Sequence, residues 1–230
     1  MKLLTVDTST STCSVALTIG GSLVAESLLD SERTLSERLL ASIDTILRDA
    51  GLLLADLDGF GVALGPGSFT GVRIGVSTVK GLALATGKPV AGFSSLAMLA
   101  LNLPVNSLPV CTLFDARKKE VYAGLYRCGS LPEPLHADCV MAPERFLDLV
   151  DGPALFVGNG ALRYHELIVE TLGDRAVFAP AHCHQPRAAA GAVLALEAFR
   201  SGALTLLPFL NPTYIRPSEA ELSRMMRETL

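Results

Sequence analysis

Gly65-Pro-Gly-Ser-Phe-Thr-Gly-Val-Arg-Ile-Gly75 joins a glycine-rich turn to a helix start and a face of small residues. Ahead of it, Gly59-Phe-Gly-Val-Ala-Leu64 reads as a short buried strand. Behind it, the apolar spacing predicts a helix to about Thr86, stopped by Gly87-Lys-Pro89. The block is therefore a strand, turn, helix junction, with Thr70 as the expected N-cap. Two readings of the turn stay open. Gly65 and Gly67 serve a tight corner that needs positive φ, or they let amides at the helix start face an anion beside Thr70. The spacing matches neither common phosphate motif. A Walker A loop needs Gly-Lys-Ser/Thr opening the helix, and Lys80 lies roughly three turns too late. A dinucleotide fingerprint needs Gly-x-Gly-x-x-Gly and an acidic residue closing a second strand, and here the spacing is Gly-x-Gly-x-x-x-Gly.

Half of the 230 residues are apolar and none is Trp, which fits a folded α/β protein with one large core or two small ones. The charge-free run from Ala188 to Leu196 is far shorter than a membrane span, and Met1-Lys-Leu-Leu-Thr-Val-Asp7 turns acidic before a secretory core forms. A cytoplasmic protein with no membrane partner is expected. Cys13, Cys111, Cys128, Cys139 and Cys183 form no Cys-x-x-Cys pair, so reduced, mostly buried thiols are expected, with no disulfide and no zinc knuckle. The formal net charge of -4 argues against nucleic acid as an unaided ligand. Basic clusters at Arg117-Lys118-Lys119 and at Arg216 with Arg224 and Arg227 read as solvated faces that can contribute to a shared surface in a complex.

An internal repeat organises the rest. Thr5 to Leu23 laid over Leu113 to Leu131 without a gap matches Asp7 with Asp115, Leu17 with Leu125, and Gly21-Ser-Leu with Gly129-Ser-Leu. Asp58-Gly59 followed by Gly65-x-Gly67 is echoed by Asp151-Gly152 followed by Gly158-x-Gly160. Each copy reads as a strand ending in Asp, two further strands, a helix, a strand with a glycine turn, and another helix. Helices are expected from Ser31 to Ala50, from Pro143 through Val150, from Ala161 to Leu172, from Pro186 to Arg200, and from Ser218 to Arg227. Prolines near Asn102 to Pro109 place a boundary there. The division is an N-terminal domain over 1–105, a C-terminal domain over 106–210 and a tail over 211–230.

A duplicated α/β unit with an aspartate ending each first strand resembles the actin-like ATPase and sugar-kinase superfamily, whose fold is two related RNase H-like domains from an internal duplication. Val6-Asp-Thr-Ser-Thr, the glycine block, Lys80-Gly-Leu-Ala83, Asp115-Ala-Arg117 with Glu120-Val-Tyr122, and Tyr214-Ile-Arg-Pro-Ser-Glu219 look like the bacterial TsaB (YeaZ) family over the whole chain. The resemblance implies a role in forming threonylcarbamoyladenosine beside the anticodon of tRNAs that read codons starting with adenine. In that family the chain is the non-catalytic paralogue that binds the transferase TsaD, with the ATPase TsaE joining them. A second copy takes TsaD's place when TsaD is absent, and tRNA is reached indirectly.

Two departures oppose catalysis. TsaD-type proteins carry a metal-binding His-x-x-x-His segment where this chain has Ser95 and Leu99, and leucine cannot ligate a metal. Actin-like ATPases carry Asp-x-Gly turns where this chain has Asp7-Thr-Ser9 and Asp115-Ala-Arg117. No catalytic residue, metal site or cofactor of its own is expected, although a nucleotide or anion bound in the complex would use Asp7, Ser9, Gly65, Gly67 and Thr70. His182-Cys183-His184 fits a strand end or loop better than a metal pair. On the predicted helix, Gly71, Gly75, Thr78 and Ala85 recur at near-helical spacing and form a low ridge that suits packing within the domain or against a partner. The resemblance places Leu39, Arg73, Ile74, Ser77 and Lys80 at the TsaD contact. Family members commonly have His-Ser-Glu where this chain has Leu35-Ser36-Glu37. The alternative is a kinase-like or metallopeptidase-like enzyme of the same superfamily.

Overall fold

The computed structural model describes residues 1–30 and 35–216. The first half runs β1 (Lys2–Asp7), β2 (Thr12–Ile19), β3 (Ser22–Asp30), α1 (Leu35–Asp49), β4 (Gly59–Ala63), α2 (Phe69–Thr86), β5 (Val90–Phe93) and α3 (Ser95–Ala100). The second runs β6 (Val110–Arg117), β7 (Glu120–Cys128), β8 (Pro132–Met141), α4 (Pro143–Leu147), β9 (Ala154–Val157), α5 (Asn159–Arg163), α6 (His165–Leu172), β10 (Ala176–Phe178) and α7 (Ala188–Ser201). Each half builds a five-stranded sheet, ordered β3-β2-β1-β4-β5 and β8-β7-β6-β9-β10. In each, a three-stranded antiparallel meander feeds two parallel strands. The duplication read from Asp7 and Asp115 is thus a duplication of topology. It reaches the backbone angles, because Gly65 and Gly158, aligned in the repeat, have φ of 105° and 107°.

Both faces of the first sheet are covered, which is why β1 and β4 read as nearly continuous apolar runs. On one face Leu4, Val6, Val15, Leu17, Phe60 and Val62 meet Leu39, Ile43 and Ile46 of α1 and Val72, Val76 and Val79 of α2. On the other, Leu3 and Ala91 meet Ala195 and Phe199 of α7. Gly61 makes room for α7, since a Cβ there would stand 2.8 Å from that of Ala195. The second sheet packs Leu113, Val121 and Phe156 against Phe146, Ile168 and Leu172. Its opposite face, with Val110, Phe114, Tyr126 and Val157, is covered by Leu96, Leu99 and Ala100 of α3. α3 therefore comes from the first half and covers the second sheet, while α7 comes from the second half and covers the first. The two helices meet where Gly191 lies against Phe93 and Met98.

Local chemistry explains where the elements depart from expectation. The N-cap of α2 is Ser68, not Thr70: its hydroxyl accepts from Gly71 N at 3.3 Å, and Thr70 already lies inside the first turn. The helix ends as expected on Gly87, in the left-handed region with φ 68°. The stretch expected as one helix from Ala161 to Leu172 breaks at Tyr164, whose φ of -105° and ψ of 24° separate α5 from α6. The helix expected from Pro186 starts at Ala188, because Arg187 is extended and pairs with Glu26 of β3. The four residues before Leu35 and the helix expected from Ser218 lie outside the described residues. No helix among the described residues is long and apolar enough to cross a membrane.

Candidate functional site

The ends of β1 and β6 open on one cleft of about 490 Å³ between the halves, lined by Ser9, Thr10, Gly67, Ser68 and Thr70 from one side and by Asp115, Arg117, Tyr122 and Asn159 from the other. The aligned aspartates each accept from the amide two residues on, although β6 continues past its aspartate to Arg117: Asp7 accepts from Ser9 N at 3.1 Å, and Asp115 accepts from Arg117 N at 3.0 Å. Their surroundings then diverge. Asp115 is neutralised by Arg163 at 3.1 Å, with Arg117 at 3.9 Å. Asp7 is buried, and among the described residues its second carboxylate oxygen and the Ser9 hydroxyl have no hydrogen-bond partner. Burial pushes the Asp7 carboxyl up to about 6, against the opposing pull of hydrogen bonding from Ser9.

That shift has a consequence for stability. The folded state holds the Asp7 proton more tightly than the unfolded chain, so stability falls as pH rises from about 4 to about 6 and stays lower above that window. The fall is on the order of 2–3 kcal/mol. Asp7→Asn is expected to flatten this window and to stabilise the fold at pH 7.5 by about 2 kcal/mol, read by urea denaturation across pH. An unchanged slope would show that Asp7 is not the titrating group.

The glycine block is a close-packing device. Gly65 needs its positive φ, and a Cβ on Gly67 would stand 2.2 Å from the Ser9 carbonyl oxygen. One turn into α2, a Cβ on Gly71 would stand 2.1 Å from the Thr8 carbonyl oxygen, and one on Gly75 would stand 2.5 Å from the Thr8 hydroxyl. The Thr8 hydroxyl donates to the Gly71 carbonyl at 2.7 Å, and Ser68 N donates to the Ser9 carbonyl at 2.7 Å. The assignment of Gly71 and Gly75 to a partner-facing ridge is therefore corrected: both are buried against the chain's own β1 end. Leu39 is corrected in the same way, because its side chain is fully buried in the core beneath α1.

The outer face of α2 remains. Arg73 and Ser77 are exposed, and Ile74, Thr78 and Lys80 are half-buried. Sequence reasoning missed that the chain's own C-terminal segment runs alongside them. Thr205 bridges to Val90, Leu210 joins the α2 core, and Lys80 Nζ donates to the Leu210 carbonyl at 3.3 Å. Tyr214 stacks on Phe69 at 4.6 Å and accepts from Arg73 Nε at 2.6 Å, while the Arg73 guanidinium sits 3.8 Å over the Phe69 ring. The segment then reaches the second half, where Arg216 donates to Glu120 and to the Ala116 carbonyl, each at 2.9 Å. Arg73, Ser77, Lys80 and Tyr214 line a groove of about 580 Å³ beside this strap. Tyr214 and Arg216, two residues apart in one motif, are the legible signals of it, and Arg216 is a paired, half-buried strap residue and not part of a solvated face.

The segment expected to lack metal ligands is core. Leu99 is fully buried on α3, Ser95 is buried beside it, and Ser94 caps the helix while its hydroxyl donates to Asp138, which also accepts from Tyr126. His184 is structural: with the proton on Nε2 it donates to the Ala179 carbonyl at 2.9 Å, and Nδ1 accepts from Gly158 N at 3.1 Å. Among the described residues no three His, Cys, Asp or Glu side chains converge as a metal-ligand set.

Comparison with known proteins agrees with this geometry. The family model described as "TsaD: tRNA N6-adenosine threonylcarbamoyltransferase" matches residues 29–223. The chain is 33% identical to the tRNA threonylcarbamoyladenosine biosynthesis protein TsaB of Bacillus subtilis (strain 168), with 96% of each chain covered. It is 31% identical to the protein of the same name from Escherichia coli (strain K12), also with 96% of each covered. The solved structure of YeaZ from Pseudomonas aeruginosa superposes with a TM-score of 0.82 at 33% identity, covering 93% of this chain and 99% of that one. With two copies of one α/β unit, a glycine block that packs the second helix onto the first strand, and kinship along its whole length, this chain belongs to the TsaB (YeaZ) branch of the TsaD family, with its duplicated actin-like ATPase fold and its place in tRNA threonylcarbamoyladenosine biosynthesis.

Proposed function

We propose that this chain is a non-catalytic subunit that docks a TsaD-type threonylcarbamoyltransferase on the outer face of α2 and thereby supports threonylcarbamoylation of tRNA in the cytoplasm. The observation that carries the reading is Gly81. A glycine inside a helix costs about 1 kcal/mol relative to alanine, and Gly71 and Gly75 are explained by internal contacts. A Cβ on Gly81, in contrast, would meet no atom of the other described residues within 4 Å. Gly81 lies on the exposed side of α2 with Ser77 and Ala85, low relief that suits the close approach of a second helix, beside the exposed apolar side chain of Leu84. Arg73, held in place by Phe69 and Tyr214, borders that face as a pre-oriented cation. The same face would pair two copies of this chain when the transferase is absent. The full burial of Leu99 where a second metal ligand would stand supports the non-catalytic role. A nucleotide or other anion is assigned to the cleft at Ser9, Gly67 and Thr70 in the complex, with TsaE as the nucleotide-dependent partner.

The test is reconstituted threonylcarbamoylation of tRNA by TsaD, TsaE and the adenylate-forming enzyme, with and without this chain, alongside a size measurement of its complex with TsaD. Modification that requires the chain and tracks heterodimer formation is the expected result. Full modification in its absence would refute the role.

A further inference from the structure

Over its 18 residues α2 carries Arg73 and Lys80 and no Asp or Glu. Lys88 follows its end, and the strap from Leu204 to Arg216 has no carboxylate either. In a chain with a net charge of -4, this is a segregated basic surface. Arg73, Ser77, Lys80 and Leu84 recur at helical spacing and so share one side of the helix. The two cations are also held in an unusual way. Elsewhere cations stand on carboxylates, as Arg48 does on Asp44, Arg163 on Asp115, Arg187 on Glu26 and Arg216 on Glu120. Arg73 instead donates from Nε to the Tyr214 hydroxyl at 2.6 Å and lies 3.8 Å over the Phe69 ring, while Lys80 donates to the Leu210 carbonyl at 3.3 Å. Among the described residues neither forms an ion pair with a carboxylate. Neutral partners fix where each charge sits and leave its sign in place.

The neighbouring helix does not supply the missing charge. On α1, Asp44 and Asp49 already stand on Arg48 at 3.3 Å and 4.0 Å, and Glu37 of its first turn is followed by Arg38. Nor is this an ordinary solvated face, because Leu84 of α2 and Leu206 and Phe209 of the strap are 66%, 67% and 72% exposed. Exposed apolar side chains beside fixed cations, on a groove of about 580 Å³, have the make-up of an interface with a polar rim. The charge then decides between occupants. A two-fold contact sets this surface against itself, so Arg73 and Lys80 of both copies approach with no carboxylate from α2 or the strap between them, and like charges brought together oppose association. A helix that presents Asp or Glu gains from the same two cations.

We infer that the groove between α2 and the strap takes an acidic helix of the transferase, and that its carboxylate-free row of cations disfavours the pairing of two copies of this chain. The inference rests on the proposed docking role. It is tested with the full-length chain and the full-length TsaD-type transferase. Titration calorimetry gives the heterodimer constant and sedimentation the homodimer constant, each at about 50 mM and about 500 mM salt, a range over which exposed charges become screened. The two constants are expected to move in opposite directions with added salt: the heterodimer weakens by about 10-fold and the homodimer tightens by about 3-fold. Arg73→Gln with Lys80→Met should bring the same two changes at low salt and flatten both salt dependences. Lys80→Met alone, which leaves Arg73 on Tyr214, should shift both constants with the same signs by about half as much on a logarithmic scale, with the Tm within about 2 °C of the wild type. Cations that serve only to hold the strap would lower the Tm and weaken both dimers together, which overturns the inference. So do constants indifferent to salt and to the variants, a homodimer that weakens with salt as the heterodimer does, and the absence of a homodimer under every condition. If the wild-type chain does not bind the transferase, the functional reading fails and the inference with it. If it binds and the affinity ignores charge, the acidic partner alone is refuted.

Discussion

Gly71→Ala is expected to destabilise the protein by about 3 kcal/mol, the upper end of what overpacking a well-filled site costs, and to lower the Tm by about 6–12 °C. The added methyl would stand 2.1 Å from the Thr8 carbonyl oxygen, a backbone atom that cannot rotate away. That carbonyl belongs to the segment leaving β1, which is further tied by the Thr8 hydroxyl to Gly71 and by Ser68 N to Ser9. Relief therefore requires α2 to lift from the sheet, which loosens the packing of Val72 and Val76 against Val6 and Val62. Gly81→Ala is the control. Its Cβ enters open space, and the isolated chain should gain about 1 kcal/mol from the better helix former. Thermal or urea denaturation of the two variants decides the matter, and a Gly71→Ala protein as stable as the wild type would sink the close-packing account.

Ser77→Trp is expected to weaken the heterodimer with the transferase by 30-fold or more, about 2 kcal/mol, while moving the Tm of the isolated chain by no more than about 1 °C. Ser77 is exposed, one turn from Arg73 and beside Lys80 in the groove bordered by the strap, so the indole meets no buried neighbour in the free chain. On the proposed face, with Gly81 one turn further along, it holds a second helix away from the surface that the small residues leave low. Binding measured by titration calorimetry, with the melting curve run in parallel, separates interface from fold. Wild-type affinity in the folded variant would move the docking surface off α2.

How much of this was legible beforehand depends on the residue. The helix from the glycine block to Thr86 and its Gly87 stop were readable, because periodicity and a left-handed cap are local signals. The choice of Ser68 over Thr70 as N-cap was not, since both are good capping residues and only the actual position of the first turn separates them. Gly71, Gly75 and Gly81 look alike in sequence. Two of them are buried under Thr8 and one faces open space, a distinction set by where β1 ends relative to α2. Leu39 likewise carries no mark saying which side of α1 it occupies, and its neighbour Leu40 is the exposed one.

The sequence by itself determined the order of elements, the duplication and the family, because these are written in short-range patterns: alternation, turn glycines, and an aspartate at the same place in each copy. The tertiary structure alone decided that α3 and α7 trade sheets, that Arg163 neutralises Asp115 while Asp7 is buried with no cation on it among the described residues, and that the segment through Tyr214 and Arg216 straps α2 to the second half. Those outcomes depend on contacts between residues far apart in the chain, and such contacts are selected by which surfaces exclude water together, a property of the assembled layers that no local pattern encodes.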